Sequence, residues 1–169
     1  MLNNGGILAA IVGGWQTAGT FERQPGSLVN FNTNLFYYGD IKDIRKSQPE
    51  IALHSDGTLD ASKYWFNVDK FEKDPAKTPT SFQTRAFPFQ IDGLRGPGLM
   101  YLNLNVTRKF TLGEQRVLQV RFDIQNVLNY AAFGNPSVDP TNTNFGKVTT
   151  AVAAAGAMRF FSFGMRFGF

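Results

Sequence analysis

The feature that most constrains this chain is its C-terminal stretch. Reading backward, Phe169, Phe167, Met165, Phe163 and Phe161 take alternate positions, with Gly168, Arg166, Gly164 and Ser162 between them. Successive side chains of a strand point to opposite faces, so this segment reads as a β-strand with one large apolar face and one small or polar face. The alternation recurs upstream. Leu118, Val120, Phe122, Ile124, Leu128 and Tyr130 share one parity, and Gln119, Arg121, Asp123, Gln125 and Asn129 share the other. Before them, Leu102, Leu104, Val106 and Phe110 oppose Asn103, Asn105, Thr107 and Lys109.

The two inner segments flank Gly113-Glu114-Gln115, a short glycine-containing turn, and this permits a register test. If paired positions sum to 228, Phe110 faces Leu118, Val106 faces Phe122 and Leu104 faces Ile124, while Lys109 faces Gln119, Thr107 faces Arg121 and Asn105 faces Asp123. Both faces come out chemically uniform, as register set by burial demands. Arg108 and Asn126 break the apolar parity. Arg108 stands near the turn, where a long cation reaches water, and Asn126 is expected to mark a bulge. A fourth, weaker alternation runs from Gly13 to Arg23, with Trp15 and Phe21 opposed by Gln16 and Glu22.

The expected fold is therefore all-β, with about four long antiparallel strands near 13–23, 99–112, 116–130 and 158–169. Strands this long, polar on one face and aromatic on the other, suit a transmembrane β-barrel, whose strands need about 9–11 residues to cross and whose outer face meets lipid. Between Pro25 and Pro97 the periodicity fades, prolines interrupt, and charged residues such as Asp40, Lys42, Asp43, Arg45 and Lys46 collect. A structureless connection of this length counts against a compact domain, but outer-membrane barrels carry long external loops and short periplasmic turns. Long loops are accordingly expected near 25–98 and 131–157 on the extracellular side, opposite the turn at 113–115.

Composition removes most catalytic readings. The chain has no cysteine and one histidine, His54, so thiolate chemistry, Cys-based metal sites and multi-His sites lack material. His54-Ser55-Asp56 reads as a solvated loop, and Asp56-Gly57-Thr58-Leu59-Asp60 as an Asp-Gly turn without the calcium-loop pattern. No catalytic residue, cofactor or metal is expected. The net charge is +4 with no long basic run, so nucleic acid is not an expected partner. No apolar run is long enough for a membrane-spanning helix, and no basic residue precedes Arg23 to mark a signal peptide.

Four motifs carry a family resemblance: Gly13-Gly14-Trp15-Gln16; Trp65-Phe66-Asn67 followed by Asp69 and Phe71; Arg85-Ala86-Phe87-Pro88 followed by Gly93-Leu94-Arg95; and Asn126-Val127-Leu128-Asn129. On these the chain resembles the C-terminal end of a TonB-dependent outer-membrane transporter, in particular the Oar-like receptors. The terminal strand ending in Phe169 is similar to the signal read by the barrel-assembly machinery. The resemblance implies a barrel of about 22 strands with a plug in its lumen, placed in the outer membrane and driven by the TonB energy complex. Against that size, the chain is expected to be a fragment without plug or signal sequence. It would contribute lipid contact and a loop, and the remaining barrel would supply the rest.

Site expectations follow. Phe161, Phe163, Met165, Phe167 and Phe169 face lipid and form the assembly signal. Arg121, Asp123 and Arg166 line the lumen, where such residues commonly form a lattice of ion pairs. Tyr37, Tyr38, Tyr64 and Trp65 are candidates for ligand contact, or else pack the loop onto the barrel mouth. The rival expectation is a secreted carbohydrate-binding β-sandwich, which requires a second packed sheet built from residues 28–98.

Overall fold

The computed structural model describes residues 13–79, 82–113, 115–152 and 158–169. Glu114 of the expected turn and residues 153–157 of the second expected loop lie outside them. Six strands occur among the described residues: β1 (Trp15–Gln24), β2 (Leu28–Asn30), β3 (Gln90–Arg95), β4 (Leu99–Thr111), β5 (Val117–Gln125) and β6 (Phe160–Gly168). No helix among the described residues is long and apolar enough to cross a membrane.

The chain divides into two compact units. The first contains a four-stranded sheet in the order β1-β4-β5-β6. The β4–β5 hairpin is antiparallel and pairs Leu104 with Ile124, Val106 with Phe122 and Phe110 with Leu118, the register that segregates polar from apolar side chains. The β5–β6 ladder continues the pattern, pairing Phe122 with Phe163, Val120 with Met165 and Leu118 with Phe167. At the hairpin end Leu112 N–H donates to the Arg116 carbonyl at 2.7 Å, and Gly113 takes φ 88°, a left-handed conformation that glycine adopts without a Cβ penalty. Among the described residues the sheet does not close on itself, and β1 and β6 are its edges.

Two expectations about this sheet are corrected. The strand expected over 116–130 ends at Gln125, and Asn126 begins a turn, not a bulge. Asn126 has φ 48° and Asn129 φ 51°. The Asn126 side chain, fully buried, accepts from Tyr130 N–H and donates to the Tyr130 carbonyl, both at 3.0 Å, while its own N–H donates to Asn103 Oδ1 at 2.9 Å. Asparagine tolerates the left-handed region and mimics a backbone turn with its amide, so Leu128 and Tyr130 keep the strand's parity by coincidence. Arg108 likewise does not reach water. It is 8% exposed, with its guanidinium over the Phe110 ring at 4.4 Å and near Trp15 at 5.7 Å, a cation–π arrangement that replaces the expected solvation.

The second unit comprises Gln24–Leu99 and Ala131–Ala153. The sequence reading of 25–98 as a loop without a core is corrected here. Val29, Phe31, Leu35, Ile44, Phe66, Val68, Phe71, Phe87, Ile91, Leu94 and Phe145 form one buried cluster. Phe31 meets Phe66 and Phe87 edge-on at centroid separations of 5.7 and 5.0 Å, and Phe145 meets Phe71 edge-on at 5.0 Å, geometries favoured by the ring quadrupole. Regular structure is scarce. β2 and β3 form a two-stranded antiparallel ladder whose register shifts between Leu28–Arg95 and Asn30–Gln90, and 3₁₀ turns cover Ile41–Ile44 and Pro75–Lys77. The described part of residues 28–98 thus forms no second packed sheet of the kind the sandwich rival requires.

Polar side chains take over the hydrogen bonding that regular structure would supply. The Arg85 guanidinium donates to the carbonyls of Phe31 and Phe87, and the Asn34 amide bridges Thr84 and Ala86 at 3.1 and 3.0 Å. This explains the Arg85-Ala86-Phe87-Pro88 motif: an irregular backbone must have its buried N–H and C=O groups satisfied, and here side chains do it. In the Trp65-Phe66-Asn67 motif, Phe66 fills the core while Trp65 N–H and Asn67 N–H donate to Gly146 and Ile44 carbonyls at 2.7 and 2.8 Å.

Candidate functional site

The functional surface of the first unit is its sheet, whose two faces differ in kind. On one face Phe161, Phe163, Met165 and Phe167 project from alternate positions of β6, more than half exposed, and Phe169 follows beyond the strand end. Phe163 lies against Phe122 at a centroid separation of 4.9 Å, and Phe122 against Trp15 at 6.2 Å, so an aromatic band crosses β1, β5 and β6. A furrow of about 580 Å³ runs between Trp15, Val106, Phe122, Phe161 and Phe163. Gly19 admits the Leu104 side chain on β4, since a Cβ there would fall 2.8 Å from Leu104 Cδ2. Exposed apolar area on this scale marks a surface made for a partner or a membrane.

The other face holds a connected polar lattice. Arg121 Nε donates to Asp123 at 2.8 Å, Asn105 Nδ2 donates to the same carboxylate at 2.7 Å, and Thr107 Oγ1 donates to Asn105 at 2.9 Å. Tyr101 O–H donates to the Glu22 carboxylate, tying β4 to β1. Arg166 stands opposite Gln119 in the β5–β6 ladder, on the same parity as Arg121 and Asp123. The structure thus brings Arg121 and Asp123 together as an ion pair and places Arg166 on the neighbouring strand. Asn105, Tyr101 and Glu22 join the lattice; their parity signalled it in the sequence, and the candidate set omitted them.

The four aromatic candidates all belong to the second unit and are not gathered into one platform. Tyr37 and Trp65 pack against the core, with Tyr37 O–H donating to the Asp40 carbonyl at 3.1 Å and Trp65 Nε1–H to the Arg95 carbonyl at 2.7 Å. Tyr64 packs there too, with Lys147 Nζ over its ring at 5.1 Å. Tyr38 alone of the four is exposed. Its hydroxyl donates to Glu72 at 3.0 Å, which raises the phenol's pKa. The Glu72 carboxyl is held below its usual range, first by the Asp74 N–H and then by Tyr38. Thr58 lowers Asp56 and Ser62 lowers Asp60 in the same way, each by hydroxyl and N–H donation. Among the described residues, no group of three or more His, Cys, Asp or Glu side chains is placed to hold a metal ion.

A sheet of long strands, antiparallel across the β4–β5 and β5–β6 ladders, with an exposed aromatic face on one side and a hydrogen-bonded polar lattice on the other defines the wall of a transmembrane β-barrel. The chain belongs to the family described as the outer membrane beta barrel domain, which it matches over residues 1–161. Its place is the cell outer membrane. No curated protein and no solved structure matches the chain.

Proposed function

We propose that this chain is a wall segment of a TonB-dependent outer-membrane receptor for nutrient uptake, of the Oar-like kind, and that it works as part of a larger barrel. The observation that carries this is the open four-stranded sheet with opposite chemistry on its faces. Unpaired edges are not tolerated in hydrocarbon, so β1 and β6 need further strands, and a barrel of about 22 strands supplies them around a plugged lumen. The four motifs named above, and the alternating aromatic strand before Phe169, support the finer assignment by resemblance.

In this reading the membrane and the barrel-assembly machinery meet the outer face at Phe161, Phe163, Met165, Phe167 and Phe169. Arg121, Asp123 and Arg166 belong to the lumen wall, facing a plug contributed by the rest of the protein, which also engages the TonB complex. The second unit is an extracellular module, and Tyr38 is the loop aromatic offered to a ligand, while Tyr37, Tyr64 and Trp65 pack against that unit's core. The protein performs no reaction of its own: it binds a nutrient outside and admits it when the energy complex displaces the plug.

The test uses the full-length gene product. It should fractionate with outer membranes, require detergent for release, and support nutrient accumulation only while the TonB complex is intact. Recovery in the soluble fraction breaks the membrane assignment. Uptake that persists without TonB, or an upstream reading frame that encodes no plug, breaks the transporter assignment alone.

A further inference from the structure

The second unit contains a cleft of about 830 Å³ between the 3₁₀ turn at Ile41–Ile44 with its continuation to Ser47 and the segment Pro88–Asp92. Its lining carries three cations, Lys42, Arg45 and Lys46, against one carboxylate, Asp92. None of the four aromatic candidates lines it. We infer that this cleft is an anion site that takes a carboxylate- or phosphate-bearing ligand. The inference rests on the reading of this unit as the ligand-facing module and names the class of ligand.

The geometry is that of a site in which two of the three cations, Arg45 and Lys46, are held in place. Ile44 is fully buried and fixes the turn to the core, while the Asp40 carboxylate caps its start by accepting from Lys42 N–H at 2.9 Å. Arg45 therefore leaves an anchored residue toward β3, where its Nη1 donates to the Asp92 carbonyl at 3.3 Å. Gly93 makes room for it. A Cβ at that position would fall 2.4 Å from Arg45 Nη1, and the backbone there has φ 71°. Within the Gly93-Leu94-Arg95 motif, this glycine lets a guanidinium lie against the strand. One N–H of the planar fork is spent on the carbonyl, and a fork of this kind suits bidentate oxyanions.

Lys46 is positioned too, with Nζ donating to the Glu50 carboxylate at 3.2 Å and to the Tyr64 carbonyl at 3.3 Å. Lys42 is exposed and forms no ion pair among the described residues, so its ammonium is available to a ligand. Ile41, Pro88 and Ile91 give the cleft an apolar side. Cations with restricted mobility beside an apolar wall bind an anion better than the same charges on long free stems, since less side-chain freedom is lost.

Two sources present this chemistry: a diffusible acidic nutrient, and the phosphates of neighbouring outer-leaflet lipid. The experiment titrates the full-length protein, purified from outer membranes in detergent, with citrate, with inorganic phosphate and with vesicles containing lipopolysaccharide, each followed by calorimetry. Saturable binding of citrate or phosphate assigns the site to a diffusible ligand, and binding of the vesicles alone assigns it to lipid. Arg45→Gln should weaken the binding about tenfold, the effect of losing one charge-assisted contact. Lys42→Gln, on an exposed side chain that the fold does not use, should weaken it severalfold, and Asp92→Asn should strengthen it. Lys77→Gln, an exposed cation outside the cleft, should change nothing.

Failure of all three probes to saturate overturns the inference. So does a Lys42→Gln/Arg45→Gln double variant that binds like the parent, or a Lys77→Gln loss of equal size, which reduces the effect to net charge. Binding to the purified protein needs no energy source, so a site that binds in a protein whose uptake ignores TonB keeps the anion site and loses the transporter reading. Energised uptake without anion binding does the reverse.

Discussion

Phenylalanine does opposite work in the two units. In the second, Phe31 and Phe66 are fully buried, and Phe71, Phe87 and Phe145 nearly so, meeting one another edge to face. In the sheet, Phe161, Phe163 and Phe167 share one face of β6 and stay more than half exposed, Phe163 even though it lies against Phe122. Burying such side chains is worth about 1.5–3 kcal/mol each, so exposure of a whole row makes sense only where the surroundings are themselves apolar. One unit supplies its own apolar solvent in the form of a core. In the function proposed above, the other uses the bilayer.

The largest break in that contrast comes from hollowing the core. Phe66→Ala should cost about 3–5 kcal/mol in the second unit, seen as rapid cleavage within 24–99 by protease added to intact cells, with the protein still in the outer membrane. Unchanged protease resistance would mean that the unit has no cooperative core. Next comes the reverse insult. Phe163→Arg, near the middle of β6, should destabilise the sheet in lipid by roughly 2–4 kcal/mol, the depth-dependent cost of a cation on the lipid face, whereas Phe163→Leu should be nearly neutral. Equal effects of the two in bilayer unfolding titrations would place that face away from lipid.

A smaller effect is expected at the end of β5. Asn126→Ala removes both side-chain bonds to Tyr130 and leaves a residue with a Cβ at φ 48°, a loss of about 1–3 kcal/mol. Asn126→Gly, which relieves the backbone but restores no bond, should fall between parent and Ala in the same titration. The smallest effect is electrostatic. Because the Glu72 carboxyl is held low by the Asp74 N–H and the Tyr38 hydroxyl, its contribution is present above the ordinary carboxylate pKa and is lost as pH falls through the folded value. Acid titration followed by the Tyr38 ring resonances should show that transition, and Glu72→Gln should abolish it.

The comparison also explains what was legible beforehand. The β4–β5 register could be worked out on paper because period two converts burial into arithmetic, and Phe110, Val106 and Leu104 had one set of partners that kept both faces uniform. The polar lattice followed from the same parity, which placed Arg121, Asp123 and Arg166 on one face. The end of β5 was hidden because Leu128 and Tyr130 continue the parity through a turn, and only Asn126, with its tolerance for positive φ, hinted otherwise. Arg108 was misplaced because sequence distance from a turn says nothing about the rings of Trp15 and Phe110 that receive it. The core of the second unit left no periodic trace at all. Phe31, Phe66, Phe71, Phe87 and Phe145 come from an irregular chain whose packing is fixed by distant contacts and by Arg85 and Asn34, neither of which a local pattern encodes. Its basic cleft was invisible for the same reason: Lys42 and Arg45 read only as charged residues collected in a long loop, and nothing local places Gly93 and Asp92 beside them.

The division of the second unit between two stretches of chain has a kinetic consequence. Phe145 closes a core whose other buried members all precede the β4–β5 hairpin in sequence, so that core has high contact order and must wait for the hairpin to emerge. Closing so long a loop is entropically expensive before the native contacts reward it, and a formed hairpin shortens the effective distance by bringing residues near 99 and 130 together. Strand pairing in the wall should therefore set the clock for completion of the module it interrupts, and a variant that slows the hairpin should delay burial of Phe145 by the same factor.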